Sequence, residues 1–358
     1  MSGPVEDPEA VALLEELVRI PSPSGAEGEA AAFLRDWMAR HGFEAWIDEA
    51  GNAIGVLGEG PRTLLLLGHL DTVPGEIPVR VENERLYGRG AVDAKGPLAA
   101  AAVAVARVGA RPGWRWVVAG AVEEEAATSR GARHLLRTWP RPDMALILEP
   151  SGAHAVTLGY KGRLLLHVHL EAPSRHTAVP EPNPAERLVE LWLALRESAR
   201  SASSGGSLFE QVTPSLRRLL ADGDGLREWA AMTVSFRLPE AWPPERWREA
   251  IRPMLEAAGA AWRTEGEEPA WRAPADTPLV RALLAGIRGE GLRPRFLLKS
   301  GTSDMNVVGP VWRCPIAAYG PGDARLDHTP EEHIELREYQ IGIRVLARAL
   351  EEIAVRAI

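Results

Sequence analysis

The sequence predicts an α/β domain built on a largely parallel sheet, interrupted by a smaller α+β domain. Two patterns of amphipathic helices occur at residues 9–19 and 27–41. Three short apolar strands are predicted at residues 63–67, 116–122 and 144–148, and an Ala/Val-rich helix at residues 97–108. Continuously apolar strands are typical of a sheet that is covered on both faces, and strands that alternate with helices are usually parallel. The first half of the chain therefore predicts a sheet flanked by helices.

The pattern changes after Gly162. A strand with period-two alternation is predicted at residues 164–172, followed by a helix at 184–200 and a polar loop at 201–207. A second strand at 232–238 and a Glu/Arg-rich helix at 244–258 complete this part. A helix at 277–287, the loop around Gly301 and a closing helix at 336–353 then return to the first pattern. Since 358 residues exceed the usual size of one domain, we expect one domain from residues 1–161 and 272–358 and an inserted domain from residues 162–271.

Composition excludes several classes of protein. The net charge of -8 and the isoelectric point near 5.7 argue against a nucleic-acid-binding surface, which needs clustered positive charge. The acidic start of the chain is unlike a signal peptide, and no apolar run approaches the roughly 20 residues that span a bilayer. Cys314 is the single cysteine and suits a reducing compartment. We therefore expect a cytoplasmic protein that binds neither nucleic acid nor membrane.

Acidic and imidazole side chains follow the predicted strands where each strand ends. The first strand runs into Gly-His-Leu-Asp, and the period of two places His69 and Asp71 on the same side. The second strand ends in the run Glu123, Glu124 and Glu125, and the third ends in Glu149. Because ligands of open α/β sheets bind beyond the carboxyl ends of the strands, these groups are expected in one crevice.

Asp93 and His328 extend this set to two imidazoles and at least three carboxylates. Such a mixture suits zinc or a similar divalent ion, and the number of donors exceeds the needs of one tetrahedral site. Crowded carboxylates also repel one another unless a cation neutralises them. Two metal ions that share one carboxylate would account for the set.

Five motifs occur in a familiar order: GHLDTVP, GRGAVDAKG, AVEEE, LEPS and DHTP. Their order and spacing resemble the co-catalytic zinc aminoacylase and carboxypeptidase family, which includes acetylornithine deacetylase and succinyl-diaminopimelate desuccinylase. The resemblance covers nearly the whole chain. It implies a zinc-peptidase-like fold with an inserted lid and dimerisation domain, and a homodimeric amide hydrolase with two Zn²⁺ ions per subunit, which Co²⁺ can replace.

Within this family, the motifs are most similar to those of enzymes that release lysine or ornithine from the carrier protein LysW in lysine and arginine biosynthesis. A deacetylase, a desuccinylase and a dipeptidase share the same metal chemistry and stay open as alternatives. A non-catalytic metal-binding scaffold of the same fold is the alternative from another class. The sequence retains each expected ligand and a base, which favours an enzyme.

The resemblance also implies a role for each motif residue. His69, Asp93 and Glu149 would hold one zinc, and Asp93, Glu125 and His328 the other. Asp71 would orient the imidazole of His69 from behind. The peptide bond between Asp93 and the residue after it is expected to be cis.

The acidic run allows two registers, because the family places a catalytic base directly before a ligand glutamate. Relatives often carry a glycine about six residues after the ligand, and Gly131 lies six residues after Glu125 (131 − 125 = 6). This spacing favours Glu124 as base and Glu125 as ligand. The alternative has Glu123 as base and Glu124 as ligand.

The remaining candidates lie in or near the inserted domain. His176 resembles the lid histidine that stabilises an oxyanion in the neighbouring subunit's site, and Asn183 matches an asparagine that follows it. Arg237 resembles a lid arginine that binds the substrate carboxylate. Four further residues are expected to line the substrate pocket: Arg175, Lys299, Gly301 and Thr302.

Overall fold

The computed structural model describes residues 7–176, 178, 180–203 and 205–356. The chain divides into two compact units. The described residues of Met1–Gly159, Arg272–Leu298 and Val307–Ile358 form the first unit, and those of Tyr160–Trp271 and Lys299–Asn306 form the second. The segment Lys299–Asn306 thus belongs with the second unit, although it follows Trp271 in sequence.

The helices and strands of the described chain have the following bounds. The helices are α1 (Pro8–Arg19), α2 (Gly28–Arg40), α3 (Lys95–Val108), α4 (Arg130–Thr138), α5 (Pro184–Ala202), α6 (Pro244–Ala257), α7 (Pro278–Gly289), α8 (Asp304–Trp312) and α9 (Leu336–Arg356). The strands are β1 (Glu44–Ile47), β2 (Ala53–Leu57), β3 (Arg62–His69), β4 (Arg80–Glu82), β5 (Arg85–Tyr87), β6 (Trp114–Ala121), β7 (Met144–Ile147), β8 (Ala155–Tyr160), β9 (Gly162–Pro173), β10 (Thr213–Gly223), β11 (Arg227–Leu238), β12 (Ala261–Glu268), β13 (Trp271–Arg272), β14 (Arg295–Lys299), β15 (Ile316–Ala318) and β16 (His333–Glu335).

The large sheet has the strand order β1-β2-β6-β3-β7-β15-β8-β13, and β14 also pairs with β8. The neighbours β6, β3, β7 and β15 run parallel, whereas β1, β2 and β8 join antiparallel to their partners. Therefore β3, β6 and β7 all end at one edge of the sheet. The predicted α/β class with a mostly parallel sheet is confirmed.

Helix α3 explains how this sheet is covered. Its sequence KGPLAAAAVAVARV is buried along most of its length, and it packs between the sheet and α9. Alanine side chains allow a helix to approach its neighbours closely, so a helix apolar all round is stable only in such an interior position. The helix begins two residues after Asp93, which fixes that residue at the edge of the core.

The second unit contains a four-stranded antiparallel sheet in the order β10-β11-β9-β12. Alternate residues of β9 and β11 are buried, among them Leu164, Leu166 and Phe236, and they pack with apolar residues of α5 and α6 such as Trp247. Both edge strands, β10 and β12, were absent from the sequence prediction. Their residues are mostly exposed or half-buried, and neither strand shows the apolar alternation that indicates a half-buried strand.

In the described part of the chain, no helix combines the length and the apolar character needed to cross a bilayer.

Gly131 connects the fold to the acidic run. Its N–H donates to the carbonyl of Val122 at 3.0 Å, and its carbonyl accepts from the Asn52 amide at 3.2 Å. A Cβ at this position would lie 2.4 Å from Asn52 Oδ1 and 2.6 Å from Val122 N. Only glycine therefore allows α4 to begin directly against the end of β6.

We predict that Gly131→Ala lowers the free energy of unfolding by about 1–3 kcal/mol, because the added methyl group must displace buried atoms. Urea denaturation would measure this change in the free energy of unfolding. Gly28→Ala is the matched control, since a Cβ at Gly28 meets nothing within 4 Å. Equal stability of the two variants would contradict the close packing of Gly131.

Candidate metal centre

His69 is the last residue of β3, and its ring is fixed from one side. The side chains of His69 and Asp71 are 1% and 0% exposed. His69 Nδ1 lies 2.9 Å from the backbone carbonyl of Asp71 and 3.4 Å from the carboxylate atom Asp71 Oδ1. Because both neighbours are acceptors, Nδ1 carries the hydrogen and Nε2 is directed towards the carboxylates opposite.

The carboxylate of Asp71 holds the acidic run in place. Its Oδ1 accepts from the backbone N–H of Glu124 at 3.0 Å, and its Oδ2 accepts from the N–H of Glu125 at 3.0 Å and from the Ser24 hydroxyl at 2.7 Å. Burial raises the pKa of Asp71, but its hydrogen bonds and the charge of His69 lower that pKa below its ordinary value overall. Asp71 is therefore a buried anion that orients His69 and both glutamates.

Asp93 lies between the two histidines and directs one oxygen towards each. Asp93 Oδ1 is 3.2 Å from His69 Nε2, and Asp93 Oδ2 is 3.0 Å from His328 Nε2. Each histidine has a further acidic neighbour: Glu149 Oε1 at 3.9 Å from His69, and Glu125 Oε1 at 2.8 Å from His328. Donor atoms about 2.0–2.1 Å from one tetrahedral zinc lie roughly 3.3 Å apart, which is close to these spacings.

Among the residues that the structure describes, potential ligand atoms form two groups, in each of which the atoms lie within 4.8 Å of one another. One group comprises His69, Asp93 and Glu125, and the other His69, Glu124 and Glu149. Imidazole and carboxylate are ligands that zinc and related divalent ions accept. The two groups share His69, whereas Asp93 belongs to one group and directs one oxygen at each histidine. The chemistry of these side chains therefore fits a metal centre.

The electrostatics of the cluster favour cations. Hydrogen bonds to Asp93 and Glu125 raise the pKa of His328 to about 10. Burial lowers the pKa of His69, yet the surrounding carboxylates raise it well above its ordinary value. Burial and the charge of Asp93 raise the pKa of Glu125. The two histidine shifts indicate that positive charge is favoured here. The shift of Glu125 reflects burial beside another carboxylate, a crowding that a cation would relieve.

The backbone of the acidic run separates Glu123 from its two neighbours. Glu123 has a positive φ of 57°, and its carboxylate accepts from Thr128 Oγ1 at 2.6 Å and pairs with Arg130 Nε at 2.7 Å. Glu124 and Glu125, in contrast, each contribute an atom to one of the two ligand groups.

The peptide bond Asp93–Ala94 is cis, as the resemblance implied. Glu332, which the sequence analysis missed, supports this segment. Its side chain is 1% exposed, and Oε1 accepts from the N–H groups of Val92 at 3.1 Å and Asp93 at 3.2 Å. Its Oε2 accepts from Arg89 at 2.8 Å. No sequence signal distinguishes Glu332 from the exposed Glu331 beside it.

The other candidates lie in the second unit, where the structure brings some of them together. Arg237 Nη1 donates to Thr302 Oγ1 at 2.6 Å. Next to Thr302, a Cβ added to Gly301 would meet nothing within 4 Å. Lys299 Nζ lies 5.8 Å from the centre of the Tyr160 ring.

The segment before α5 contains the remaining three. His176 is exposed, and its Nδ1 accepts from the N–H of Ala178 at 3.2 Å. Arg175 pairs with Glu181 at 3.5 Å. Asn183 is the N-cap of α5, where its side chain accepts from the N–H of Glu186, so its oxygen already has a structural partner.

Asp71→Asn should test how the cluster is held. The amide replaces one acceptor by an NH₂ group that faces a backbone N–H, so we expect a loss of about 1–3 kcal/mol in unfolding free energy. Loss of such a supporting carboxylate also typically weakens metal binding by about 10–100-fold. Chelator competition measures the affinity. Asp36→Asn, at a carboxylate with a 53% exposed side chain, is the control, and equal metal affinity in both variants would refute this role of Asp71.

Comparison with known proteins identifies the family. The model of peptidase family M20/M25/M40 matches residues 65–352. A LysW-lysine hydrolase from Deinococcus radiodurans is 50% identical over 345 residues, which cover 94% of this chain and 95% of that protein.

Two solved structures share the fold. An M20-family metallo-carboxypeptidase from Sulfolobus solfataricus is 19% identical with a TM-score of 0.83, and the match covers 97% of this chain and 99% of that one. A dinuclear metal-binding M20 peptidase from Bacillus subtilis is 14% identical with a TM-score of 0.68, and the match covers 98% of both chains. From the family match and the 50% identical relative, the chain belongs to the metal-dependent hydrolases of peptidase family M20/M25/M40.

Proposed function

We propose that this chain is a two-zinc amide hydrolase that releases lysine, or ornithine, from its conjugate with the carrier protein LysW. The position of Asp93, with one oxygen directed at each of two histidines, carries the proposal for the chemistry. The substrate is proposed from the relative that is 50% identical over 94% of the chain and is named a LysW-lysine hydrolase.

His69, Asp93 and Glu149 would hold one zinc, and Asp93, Glu125 and His328 the other. When bound, the two ions supply Lewis acidity that polarises the amide carbonyl and makes water more acidic. Co²⁺ accepts the same nitrogen and oxygen ligands and is a reasonable substitute. Asp71 keeps the Nε2 atom of His69 available by accepting the hydrogen at Nδ1.

Glu124 is the proposed general base. Its carboxylate lies beside His69 and Glu149, while Glu125 contacts His328. Glu124 would accept a proton from the water that attacks the carbonyl carbon and donate it to the amine nitrogen as the amide bond breaks. The alternative register is less favourable, since the carboxylate of Glu123 is paired with Arg130.

Residues of the second unit would recognise the amino acid. Arg237 and Thr302 offer donors for the carboxylate of the substrate. His176, exposed on its own unit, would serve as the oxyanion donor in the active site of a second subunit of a homodimer, with the inserted unit acting as lid and dimerisation domain. Lys299, Gly301, Arg175 and Asn183 would border the pocket.

Biosynthesis of lysine or arginine in the cytoplasm is the proposed setting. Cys314 is buried and unpaired, which suits a reducing compartment. Acetylornithine deacetylase, succinyl-diaminopimelate desuccinylase and dipeptidase activities are the alternatives within the same chemistry, and a non-catalytic metal-binding scaffold is the alternative from another class.

Substitutions in the acidic run test the metal centre. Glu124→Gln should lower kcat by about 10²–10⁴-fold and retain two zinc ions per chain, because it removes only the proton acceptor. Glu125→Gln should lose one ion. Elemental analysis beside turnover assays measures both. If Glu123→Gln is the inactive, metal-replete variant and Glu124→Gln loses an ion, the alternative register holds instead.

A substrate comparison tests the proposed reaction. The zinc-loaded protein should hydrolyse LysW-lysine with a kcat/KM at least about 100-fold above that for N-acetylornithine or N-succinyl-diaminopimelate, since about 2.7 kcal/mol of extra transition-state binding suffices. Glu124→Gln supplies the background rate. A higher kcat/KM for either small substrate would assign the alternative activity, and no turnover of any substrate would favour the scaffold.

A further inference from the structure

Lys161 is a buried lysine in a chain that uses arginine almost everywhere. The sequence contains three lysines, and Lys161 is 0% exposed. Its Nζ donates to the carbonyls of Leu208 at 3.1 Å and Gln211, and to Thr213 Oγ1 at 2.8 Å. An ammonium has three donors, and these partners use all of them. Burying a charge without such partners costs several kcal/mol, so Lys161 ties residues 208–213 firmly to the start of β9.

The backbone of Lys161 is also fixed. Its carbonyl accepts from Thr302 Oγ1 at 2.8 Å and from the Asn306 amide at 3.2 Å. The next residue, Gly162, lies so close to the end of β12 that a Cβ there would be 2.5 Å from the Glu268 carbonyl. Lys161 therefore cannot move independently of the loop that contains Thr302.

The side chain and the carbonyl of Lys161 each contact a residue that lies next to Arg237. The Thr302 hydroxyl that donates to the Lys161 carbonyl accepts from Arg237 Nη1 at 2.6 Å. Thr213, which accepts from Lys161 Nζ, is the cross-strand partner of Arg237 between β10 and β11. Lys161 thus contacts one neighbour of Arg237 through its side chain and another through its carbonyl.

The positive charge of Lys161 favours the binding of an anionic ligand at the neighbouring Arg237. Burial, and to a smaller extent the positive charge of Arg237, lower the pKa of Lys161 to about 8. The buried ammonium of Lys161 and the half-buried guanidinium of Arg237 repel each other, and an anionic ligand at Arg237 would relieve that repulsion. A carboxylate is the ligand for which a guanidinium and a hydroxyl provide matched donors.

We propose that Lys161 is a positioning residue that holds Arg237 and Thr302 in the geometry that binds the α-carboxylate of the released amino acid. This inference rests on the proposed function, because the carboxylate is that of the hydrolysed substrate and of its product. Lys161 itself needs no contact with the ligand. It favours ligands that carry a carboxylate, because it holds Thr213 and Thr302, the two neighbours of Arg237, in place.

Calorimetry with two probes tests this role in the zinc-loaded full-length protein. The probes are L-lysine and 1,5-diaminopentane, which lacks the carboxylate. Lys161→Met should weaken L-lysine binding by about tenfold or more, as loss of charge-assisted hydrogen bonds typically does, and leave diaminopentane binding within about twofold. Arg217→Met, which removes an exposed positive charge from β10, is the control and should change neither affinity. A merely structural role would lower both affinities of Lys161→Met together, and that result would overturn the proposal.

Thr213→Val provides a second, milder variant. It removes one acceptor of Lys161 at nearly constant volume and should weaken L-lysine binding selectively but less than Lys161→Met. If Lys161→Met does not fold, Thr213→Val decides, and unchanged selectivity for the carboxylate would refute the inference. Hydrolysis of LysW-lysine by the wild-type protein is measured separately. If the wild-type protein binds L-lysine selectively but does not hydrolyse LysW-lysine, that result counts against the proposed function and not against the role of Lys161.

Discussion

The metal cluster depends on the buried carboxylate of Asp71. Its side chain is 0% exposed, and its oxygens accept from two backbone N–H groups of the acidic run and from Ser24. Its own carbonyl fixes the ring of His69. A buried anion is stable only when its lone pairs are satisfied in this way. One side chain therefore couples the end of β3 to the loop after β6, and the positions of His69, Glu124 and Glu125 follow from it.

The same edge of the sheet concentrates negative charge that the fold alone does not neutralise. Asp93, Glu125 and Glu149 surround two imidazoles, and the histidine pKa values rise in response. Positive φ angles occur at Glu123 and at His328, with values of 57° and 61°. Backbone strain of this kind persists where the surrounding structure holds it, and it commonly marks functional sites.

Two buried lysines show a second use of charge in this fold. Lys95 is 1% exposed and donates to the carbonyls of Leu17 and Ile20 at 3.0 and 2.7 Å, where α1 ends. Lys161 binds carbonyl and hydroxyl oxygens in the second unit in the same manner. A compact ammonium directs three donors to acceptors around one point, whereas a guanidinium requires a planar arrangement. This difference accounts for lysine at these positions in an arginine-rich chain.

The sequence by itself determined the fold class and which side chains emerge at the ends of β3, β6 and β7, because a strand buried on both faces stays apolar until it leaves the sheet. It could not determine how three adjacent glutamates divide between a surface ion pair and the cluster. That division depends on the positive φ of Glu123 and on hydrogen bonds to Asp71, 53 and 54 residues away. Partners of Glu332 and Lys161 lie as far as 243 and 145 residues away along the chain. The edge strand β10, which contains the Lys161 partner Thr213, shows no apolar alternation that the sequence could have revealed. Only the tertiary structure decided these contacts, since burial and not local pattern makes them necessary.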